Sequence, residues 1–478
     1  MRKVFMGVRL RTLREQRQLT QAEMARQLDI SPSYLNQIEN NERPLTVSVL
    51  LRLQSRMAVD PQFFSEDDEA RLMVQLREIT LDSATEVPTA ELQALVRQMP
   101  AMAEMIIRLH RRCRDAEEHV QDLAAATDED NPLSRVAVQQ PHEEVRDYFH
   151  SHHNHIAVLD ERAEALYGAL QREAGLGEQE RLSPHVLVEQ LHRLLRSEHD
   201  VAVRLRDDPQ RIRHFDPRAR LLSISSRLEP GQQAFQLATQ LAWLDSGEQI
   251  TELTEAADLG TDTARRLAGM GLASYFAGAL VLPYGLFYHS AEAQAYDIEL
   301  LAEQFGVSYE TVCHRLSTLQ RPEARGVPFF LVRVDRAGNI SKRQSATDFH
   351  FSRTGGSCPL WNVYEAFARP DKIHTQLARM PDGRTHLWVA RAISRRWGGH
   401  LGSERRFAIA LGCDLHHAER LVYAKGLNLR DADAATPIGT GCKVCDRTDC
   451  DQRAFPAIGR PLKVDPLQRV RQPYPLEG

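Results

Sequence analysis

The chain has 478 residues, of which 42% are hydrophobic and 26% are charged, a composition typical of folded proteins with roughly two to four domains. No stretch of about 18 uncharged apolar residues occurs and the basic start lacks the apolar core of a signal peptide, so we expect a cytoplasmic protein with reduced thiols rather than a membrane-spanning or secreted one. The net charge of −5 argues against a protein that coats nucleic acid along its whole length.

Residues 1–65 differ from the rest of the chain in charge. They carry ten Lys and Arg against six Asp and Glu, a net charge of +4, which leaves −9 for the remaining residues. Only this segment therefore has the sign expected of a surface that binds phosphates.

The same segment contains start signals for a series of short helices. Thr20 and Glu23 predict a capping box at the start of one helix. Ser31 can cap the next helix, with Pro32 at its first position, where a missing N–H costs nothing. The spacing of these signals predicts two helices joined by a tight turn.

The second of these helices has an apolar and a polar side. Leu35 and Ile38 face inward, and the opposite face carries small hydroxyl and amide residues: Ser33, Asn36, Gln37 and Asn40. Amides can offer a paired donor and acceptor to adenine in the major groove, and serine can bond to several base edges. A solvated helix face would look similar, but the caps, the spacing and the basic flank together favour a helix-turn-helix that reads DNA.

The segment "LTQAEMARQLDISPSYLNQIENNERPL" resembles the Xre/Cro repressor helix-turn-helix family, and the resemblance extends over residues 7–62. It implies that Gln21 holds a phosphate, that Ser33, Asn36 and Gln37 reach bases, and that Asn40 and Arg43 contact the DNA backbone. The DNA-binding residues expected from pattern and resemblance together are Gln21, Ser31, Ser33, Tyr34, Asn36, Gln37, Asn40 and Arg43.

Residues 66–150 predict a helical linker. Apolar residues recur at steps of three and four, and Pro100 must break or bend the helix: Leu92, Leu95, Val96, Met99, Met102, Met105, Ile106 and Leu109. This face packs either against its own chain or against a second copy, since helix-turn-helix proteins usually read two half-sites. The polar "TDEDNPLSR" at 127–135 is a plausible domain boundary.

From 151 to 320 the pattern predicts helices, a small sheet and further long helices. "QAFQLATQLAWL" and "LASYFAGALVLP" resemble signatures of the ImmA/IrrE family of zinc-peptidase-like domains. That chemistry needs two histidines a turn apart, a glutamate base and a third ligand, and by the resemblance these positions hold Thr239, Gln240, Trp243 and Leu272. None of the four can hold zinc or act as the base, so we expect no catalytic site, and a cleft that serves ligand sensing or domain packing.

Residues 321–478 open with a predicted β-hairpin and carry a cysteine cluster. The segment "GCKVCDRTDC" places Cys442, Cys445 and Cys450 in a C-x2-C-x4-C spacing, and a fourth ligand would have to be remote. Cys413 is the first candidate for that ligand and Cys358 the reserve. The asymmetric spacing favours a 4Fe–4S cluster, as in the WhiB-type iron–sulfur regulators that it resembles, with zinc, reduced thiols or a redox disulfide as alternatives.

Taken end to end, the chain resembles the short-chain fatty acyl-CoA regulator family, whose late motifs are similar to "LGCDLHHAERLVYAKGL" and "GCKVCDRTDCDQRAFP". The resemblance implies a dimeric, cytoplasmic transcription factor that binds double-stranded DNA, controls genes of acyl-CoA metabolism and responds to an acyl-CoA. A redox-sensing or iron–sulfur-sensing regulator is the alternative. Five arginines could pair with coenzyme A phosphates or form a solvated basic surface: Arg391, Arg395, Arg396, Arg405 and Arg406.

The expected fold is mainly α with small α+β parts. It consists of an N-terminal helix-turn-helix bundle, a helical linker with a possible dimerisation role, a degenerate zinc-peptidase-like middle domain and a cysteine-bearing C-terminal domain: residues 1–65, 66–150, 151–320 and 321–478.

Overall fold

The structure is a computed structural model. It describes residues 7–17, 19–40, 42–57, 67–82, 87–125, 141–208, 210–345, 358–381, 383–396, 402, 404–439, 441–442, 445, 447–457, 461–465, 467–468 and 470–475.

The chain divides into two compact units, Met1–Val138 and Gln139–Gly478. The linker expected over 66–150 is therefore shared between the units, and the boundary expected at 127–135 lies outside the described residues. The predicted fold class is confirmed, because the chain is mainly helical with two small sheets.

The first unit is helical throughout its described part. Its elements are α1 Gly7–Gln16, α2 Gln21–Gln27, α3 Pro32–Glu39, α4 Val47–Met57, α5 Asp67–Asp82, α6 Thr89–Gln98 and α7 Pro100–Ala125.

The predicted caps begin α2 and α3. The Thr20 hydroxyl accepts from the Glu23 N–H, and the Glu23 carboxylate accepts from the Thr20 N–H at 2.8 Å. The Ser31 hydroxyl accepts from the Tyr34 N–H at 3.1 Å. Leu28, Leu35 and other apolar residues of α1–α4 form one buried core, which holds α2 and α3 at the fixed angle of the turn.

The apolar face expected over 92–109 divides into two parts. Leu92 and Val96 of α6 pack with Ala103 of α7 and with α5 in a small core. The other part is exposed, with exposed fractions between 40% and 54%: Met99, Met102, Met105 and Leu109. Pro100 acts as predicted, since α6 ends at Gln98 and α7 begins at the proline.

The second unit begins with helices around a three-stranded sheet of order β1-β3-β2. Its elements up to residue 316 are α8 Pro141–Ser151, α9 Ala157–Glu173, α10 Pro184–Ser197, β1 Ala202–Arg206, β2 Arg213–Asp216, β3 Leu221–Ser225, α11 Pro230–Asp245, α12 Gly247–Ala256, α13 Asp262–Val281, α14 Tyr284–Ala293, α15 Ile298–Phe305 and α16 Tyr309–Leu316.

Small residues bring these helices close together. Gly231 of α11 leaves no room for a side chain, because a Cβ there would meet the Gly306 carbonyl oxygen at 2.1 Å. Gly306 ends α15 with a positive φ of 61°, a backbone conformation that glycine adopts at no steric cost. Helix α11 can therefore approach the end of α15 closely.

A six-stranded sheet of order β5-β4-β8-β7-β6-β9 completes the second unit. Its elements are β4 Phe330–Val334, β5 Ile340–Ser345, β6 His374–Arg379, β7 Thr385–Arg396, β8 Glu404–Asp414, α17 Leu415–Ala418 and β9 Thr436–Pro437.

The two faces of this sheet belong to different cores. Along β8, Ile409, Leu411 and Cys413 pack into the core shared with the helices. Ala408 and Ala410 point to the other side, into a smaller core built around two tryptophans. Because one face packs directly on the helices, the regions expected as middle and C-terminal domains share a single core.

No single described helix is long and apolar enough to cross a membrane. Only α13 and α14 taken together, with a bend of 63° between them, reach the required length and composition.

Candidate functional site

The helix-turn-helix presents the expected polar face on α3. Ser33, Asn36 and Asn40 are exposed, as are Ser31 and Arg43, whereas Gln21, Tyr34 and Gln37 are half-buried. The Arg43 guanidinium lies 5.6 Å from the centroid of the Tyr34 ring.

Three amides of this face are joined to one another. The Gln21 side chain donates to the Asn36 Oδ1 at 3.1 Å, and the Asn40 side chain donates to the same oxygen at 3.2 Å. The amide of Asn36 is thus fixed in orientation by residues from both helices before DNA arrives. Its Nδ2 remains directed away from these two donors and is available as a donor to a base edge.

A buried ion pair beneath this face was missed by sequence reasoning. Glu39 is only 4% exposed, and its carboxylate pairs with the Arg14 Nε of α1 at 2.7 Å. Gln21 donates to the same carboxylate at 2.8 Å. Glu39 lies on the inner side of α3, where its charge needs a partner, and a glutamate at that position is the signal that could have revealed the pair.

The four positions that correspond to a zinc-peptidase site hold no metal-ligating set. Thr239 donates to the Phe235 carbonyl oxygen of its own helix at 2.7 Å. Gln240 and Leu272 are buried, and the Trp243 ring lies against Gly269 of α13. The Trp243 ring thus packs α11 on α13.

A cavity with a volume of about 990 Å³ lies within the second unit. Residues from α8, α11, α13, α16, β5 and β7 line its walls. Apolar side chains include Phe149, Phe235, Met270, Val307 and Ile340, and cationic side chains include Arg146, Arg315, Lys342, Arg343 and Arg395. A cavity with both kinds of wall suits a ligand that is apolar at one end and anionic at the other.

A buried charge network supports one wall of this cavity. Arg315 donates from both Nη atoms to the two carboxylate oxygens of Asp160, at 2.8 and 2.9 Å. The Tyr275 hydroxyl donates to Asp160 at 2.6 Å, and the Arg315 Nε donates to the Leu282 carbonyl oxygen at 2.8 Å. Asp160 is fully buried, and Arg315 and Tyr275 also line the cavity.

Asp160 and Arg315 both remain charged although they are buried. Burial alone would raise the pKa of Asp160, but the charge of Arg315 and the surrounding hydrogen bonds hold that pKa below its ordinary value. Burial alone would lower the pKa of Arg315, but Asp160 outweighs it and raises that pKa. The pair therefore stays ionised and fixes α9 against α16.

Four of the cysteines converge, but they differ from the expected four. Cys358, Cys442, Cys445 and Cys450 line one small cavity. The Ala454 N–H donates to the Cys442 Sγ at 3.4 Å. Burial raises the pKa of the Cys358 thiol and of the Cys445 thiol. Among the described residues, no group of three or more His, Cys, Asp or Glu side chains is arranged to hold a single metal ion.

Cys413 is not at this cavity, so the structure brings the reserve candidate Cys358 to the other three cysteines instead. The reason is the alternation of side chains along β8. Cys413 points with Ile409 and Leu411 into the core shared with the helices, whereas Cys358 belongs to the core on the opposite face of the sheet. Burial raises the pKa of the Cys413 thiol, as expected of a neutral core residue.

An arginine organises the backbone around the cysteine cavity. Arg453 is 4% exposed and donates to the carbonyl oxygens of Cys442 at 2.9 Å and Cys445 at 3.0 Å. This buried guanidinium holds the backbone at Cys442 and Cys445 in place.

Of the five arginines expected to be available for phosphates, only Arg395 lines the large cavity. Arg391 pairs with Glu299 at 3.0 Å and with Asp371 at 3.5 Å. Arg396 and Arg406 both pair with Glu404, and Arg405 is exposed.

Three family models match the chain. A helix-turn-helix model matches residues 10–64, and a model of the IrrE N-terminal-like domain matches residues 196–317. The model described as short-chain fatty acyl coenzyme A regulator, C-terminal, matches residues 318–474. The matches follow the chain in the order that the motifs predict.

Relatives extend over the whole chain. The HTH-type transcriptional regulators RamB and PrpR of Mycobacterium tuberculosis are 48% and 45% identical to it, over 99% of this chain and 99% and 96% of theirs. A propionyl-CoA carboxylase regulator of Cereibacter sphaeroides is 40% identical, over 99% of this chain and 98% of its own.

A solved structure of a Mycobacterium tuberculosis transcriptional regulator also resembles the chain. It has 48% sequence identity and a TM-score of 0.66, and the match covers 70% of this chain and 100% of the other. The chain therefore belongs to the short-chain fatty acyl coenzyme A regulators, DNA-binding transcriptional regulators of acyl-CoA metabolism rather than enzymes.

Proposed function

We propose that an acyl-CoA binds in the 990 Å³ cavity of the second unit and thereby controls how the first unit binds its operator. The cavity carries the proposal, because its apolar residues suit an acyl chain and its cationic residues suit the phosphates of coenzyme A. Lys342 contributes a positive charge to the wall that no described carboxylate pairs with, and an anionic ligand would neutralise it.

Helix α8 supports a link between ligand and DNA. It begins at Pro141, directly after the boundary between the two units at Val138 and Gln139. Five of its residues line the cavity, and its Phe149 packs so closely on Gly271 of α13 that a Cβ there would clash. A ligand that moves α8 therefore acts on the segment that leads to the DNA-binding unit.

For DNA recognition, we propose the eight residues from Gln21 to Arg43 expected from the sequence. Replacing Asn36 by alanine should weaken operator binding by about 1–3 kcal/mol, roughly 5–150-fold, because a fixed amide is lost from the base-reading face. Fluorescence anisotropy with a DNA fragment taken from the protein's mapped genomic sites measures this. The matched control is Gln93→Ala, an exposed amide on α6. Unchanged affinity of Asn36→Ala would rule out this face.

The exposed apolar face of α7 supports a homodimer. Met99, Met102, Met105 and Leu109 lie at helical spacing and remain outside the core of their own unit. We propose that the same face of a second copy covers them, which would place two recognition helices on two half-sites. The anisotropy titration also gives the stoichiometry, for which we expect two chains per operator.

For the cysteine cavity, we propose that Cys358, Cys442, Cys445 and Cys450 hold a 4Fe–4S cluster, with zinc as the alternative. Four thiols from two separate segments line one cavity whose backbone Arg453 fixes, and four thiolates are the donors that such a cluster needs. Such a cluster would fasten the C-terminal loop to the sheet, and it would supply a redox input if it were lost on oxidation. A regulator that senses redox state through these thiols is the second candidate function.

Replacing Cys358 and Cys413 one at a time distinguishes the proposed set of ligands from the set expected from the sequence, in which Cys413 is the fourth ligand. Cys358→Ser should remove most of the iron and acid-labile sulfide from protein purified without oxygen, whereas Cys413→Ser should keep both. Zinc in place of iron would favour the structural alternative. Loss of metal in Cys413→Ser with retention in Cys358→Ser would contradict the assignment.

We also propose that the protein acts in the cytoplasm. Its cysteines are free thiols in the structure, which is the state that a reducing compartment maintains.

A further inference from the structure

We propose that the side chain of Lys342 accepts the acyl group of a bound acyl-CoA, so that the cavity wall becomes covalently acylated. The inference rests on the proposed acyl-CoA site and goes beyond it, because it adds a chemical step to binding. It would convert a passing metabolite signal into a lasting change of the regulator.

The position of Lys342 is the first argument. It lies on edge strand β5 opposite Arg333 of β4 and lines the large cavity together with Glu310 and His314 of α16. It forms no hydrogen bond or ion pair with any residue that the structure describes, since the Arg333 guanidinium takes the Glu310 carboxylate at 3.0 Å. The amine is thus half-buried, unneutralised and directed at the space that the ligand would occupy.

The protonation state of Lys342 is the second argument. Burial lowers its pKa to about 8, with Arg333 acting in the same direction and Glu310 opposing it. At pH 7 roughly one amine in ten is then neutral, compared with roughly one in 3,000 for an ordinary lysine. A desolvated lysine beside another cation is the environment that activates an amine as a nucleophile.

His314 supplies an acceptor beside this amine. Its Nδ1 is 2.7 Å from the Gln344 Oε1, which is an acceptor, so Nδ1 carries the proton and Nε2 has a free lone pair. Nε2 is buried and has no hydrogen-bond partner among the described residues. Burial, with the charge of Lys342 and Arg333, keeps the pKa of His314 well below its ordinary value, so the ring stays neutral. This lone pair lies on the same cavity wall as Lys342.

The step balances without a further reactant. The neutral Lys342 nitrogen attacks the thioester carbonyl carbon, a C–N bond forms and the C–S bond breaks. The electron pair of that bond leaves with sulfur, and the proton lost from nitrogen passes to it, which yields free coenzyme A and an amide. Each chain reacts once, so the step is a modification of the regulator and not a turnover.

The small number of lysines makes the test sharp. Only six occur among the 60 Lys and Arg residues, and Lys372 and Lys425 are exposed references within the same molecule. The full chain is incubated with propionyl-CoA and digested, and the acylated peptides are quantified by mass spectrometry. We expect Lys342 to acquire one propionyl amide at least 10-fold faster than Lys372 or Lys425, at a rate that rises from pH 6 to about 8 and then levels off.

Two variants complete the experiment. Lys342→Arg cannot form the amide, so it should acquire no label at 342 while Lys372 and Lys425 keep their slow labelling rates. Excess free coenzyme A should slow labelling of Lys342 and leave Lys372 unchanged. Equal labelling rates at Lys342 and Lys372, or a thermal shift without labelling, would contradict acyl transfer to Lys342 but not the proposed acyl-CoA site. Absence of any thermal shift in the unaltered chain would instead overturn the proposed acyl-CoA site.

Discussion

Replacing Asp160 by asparagine is expected to lower the free energy of unfolding of the second unit by about 3–5 kcal/mol. Asp160 is fully buried and accepts two hydrogen bonds from the Arg315 guanidinium, so the variant leaves a buried cation without its counter-charge. Chemical denaturation of the full chain, followed through the four tryptophans, measures the change.

Two further variants make this result specific. Asp207→Asn removes one partner of an exposed pair with Arg227, and we expect little or no change in unfolding free energy. Adding Arg315→Met to Asp160→Asn should recover part of the loss, because the unpaired cation disappears with its partner. A loss in Asp160→Asn no larger than that in Asp207→Asn would show that the pair does not stabilise the unit.

The same pair predicts a direction for the effect of pH. The folded state holds the pKa of Asp160 below its ordinary value, so its contribution to stability is present above the pKa of the unfolded chain, about 4, and is lost as pH falls further. The difference in unfolding free energy between wild type and Asp160→Asn should therefore shrink below about pH 4.

Replacing Gly278 by leucine is expected to abolish the response to acyl-CoA without unfolding the protein. Gly278 lies in α13 on the cavity wall, and a Cβ built there meets nothing within 4 Å. The leucine side chain would fill space that the ligand needs, and a helix interior prefers leucine to glycine by up to about 1 kcal/mol. We expect at least a 10-fold loss of affinity for propionyl-CoA, measured by calorimetry.

Gly168→Leu is the matched control. Gly168 is also a helical glycine with nothing within 4 Å of an added Cβ, but it lies on α9 and away from the cavity. It should bind propionyl-CoA as wild type does. Equal affinities of the two variants would place the ligand elsewhere.

Local signals explain why the first unit could be predicted from sequence. The caps at Thr20 and Ser31 and the apolar spacing around Leu35 depend on residues within a few positions of each other, and the structure shows them as predicted. The absence of zinc ligands at Thr239 and Trp243 and of the glutamate base at Gln240 could also be read from the sequence, because the helices that carry these positions are recognisable.

Long-range features could not be read in this way. Asp160 and Arg315 are 155 positions apart, and nothing near either residue indicates the partner. The choice between Cys413 and Cys358 depends on which face of a strand each occupies, and the alternation of Ile409, Leu411 and Cys413 along β8 was the available signal. Six separate elements line the cavity, so only the assembled structure shows it.

Ligand in the cavity is expected to change operator binding. The most direct test is the dissociation constant for operator DNA, measured by anisotropy with and without saturating propionyl-CoA, for wild type and Gly278→Leu. We expect a shift of at least about 5-fold for wild type, within the usual range of allosteric coupling, and none for Gly278→Leu. Equal dissociation constants for wild type with and without the acyl-CoA would contradict it.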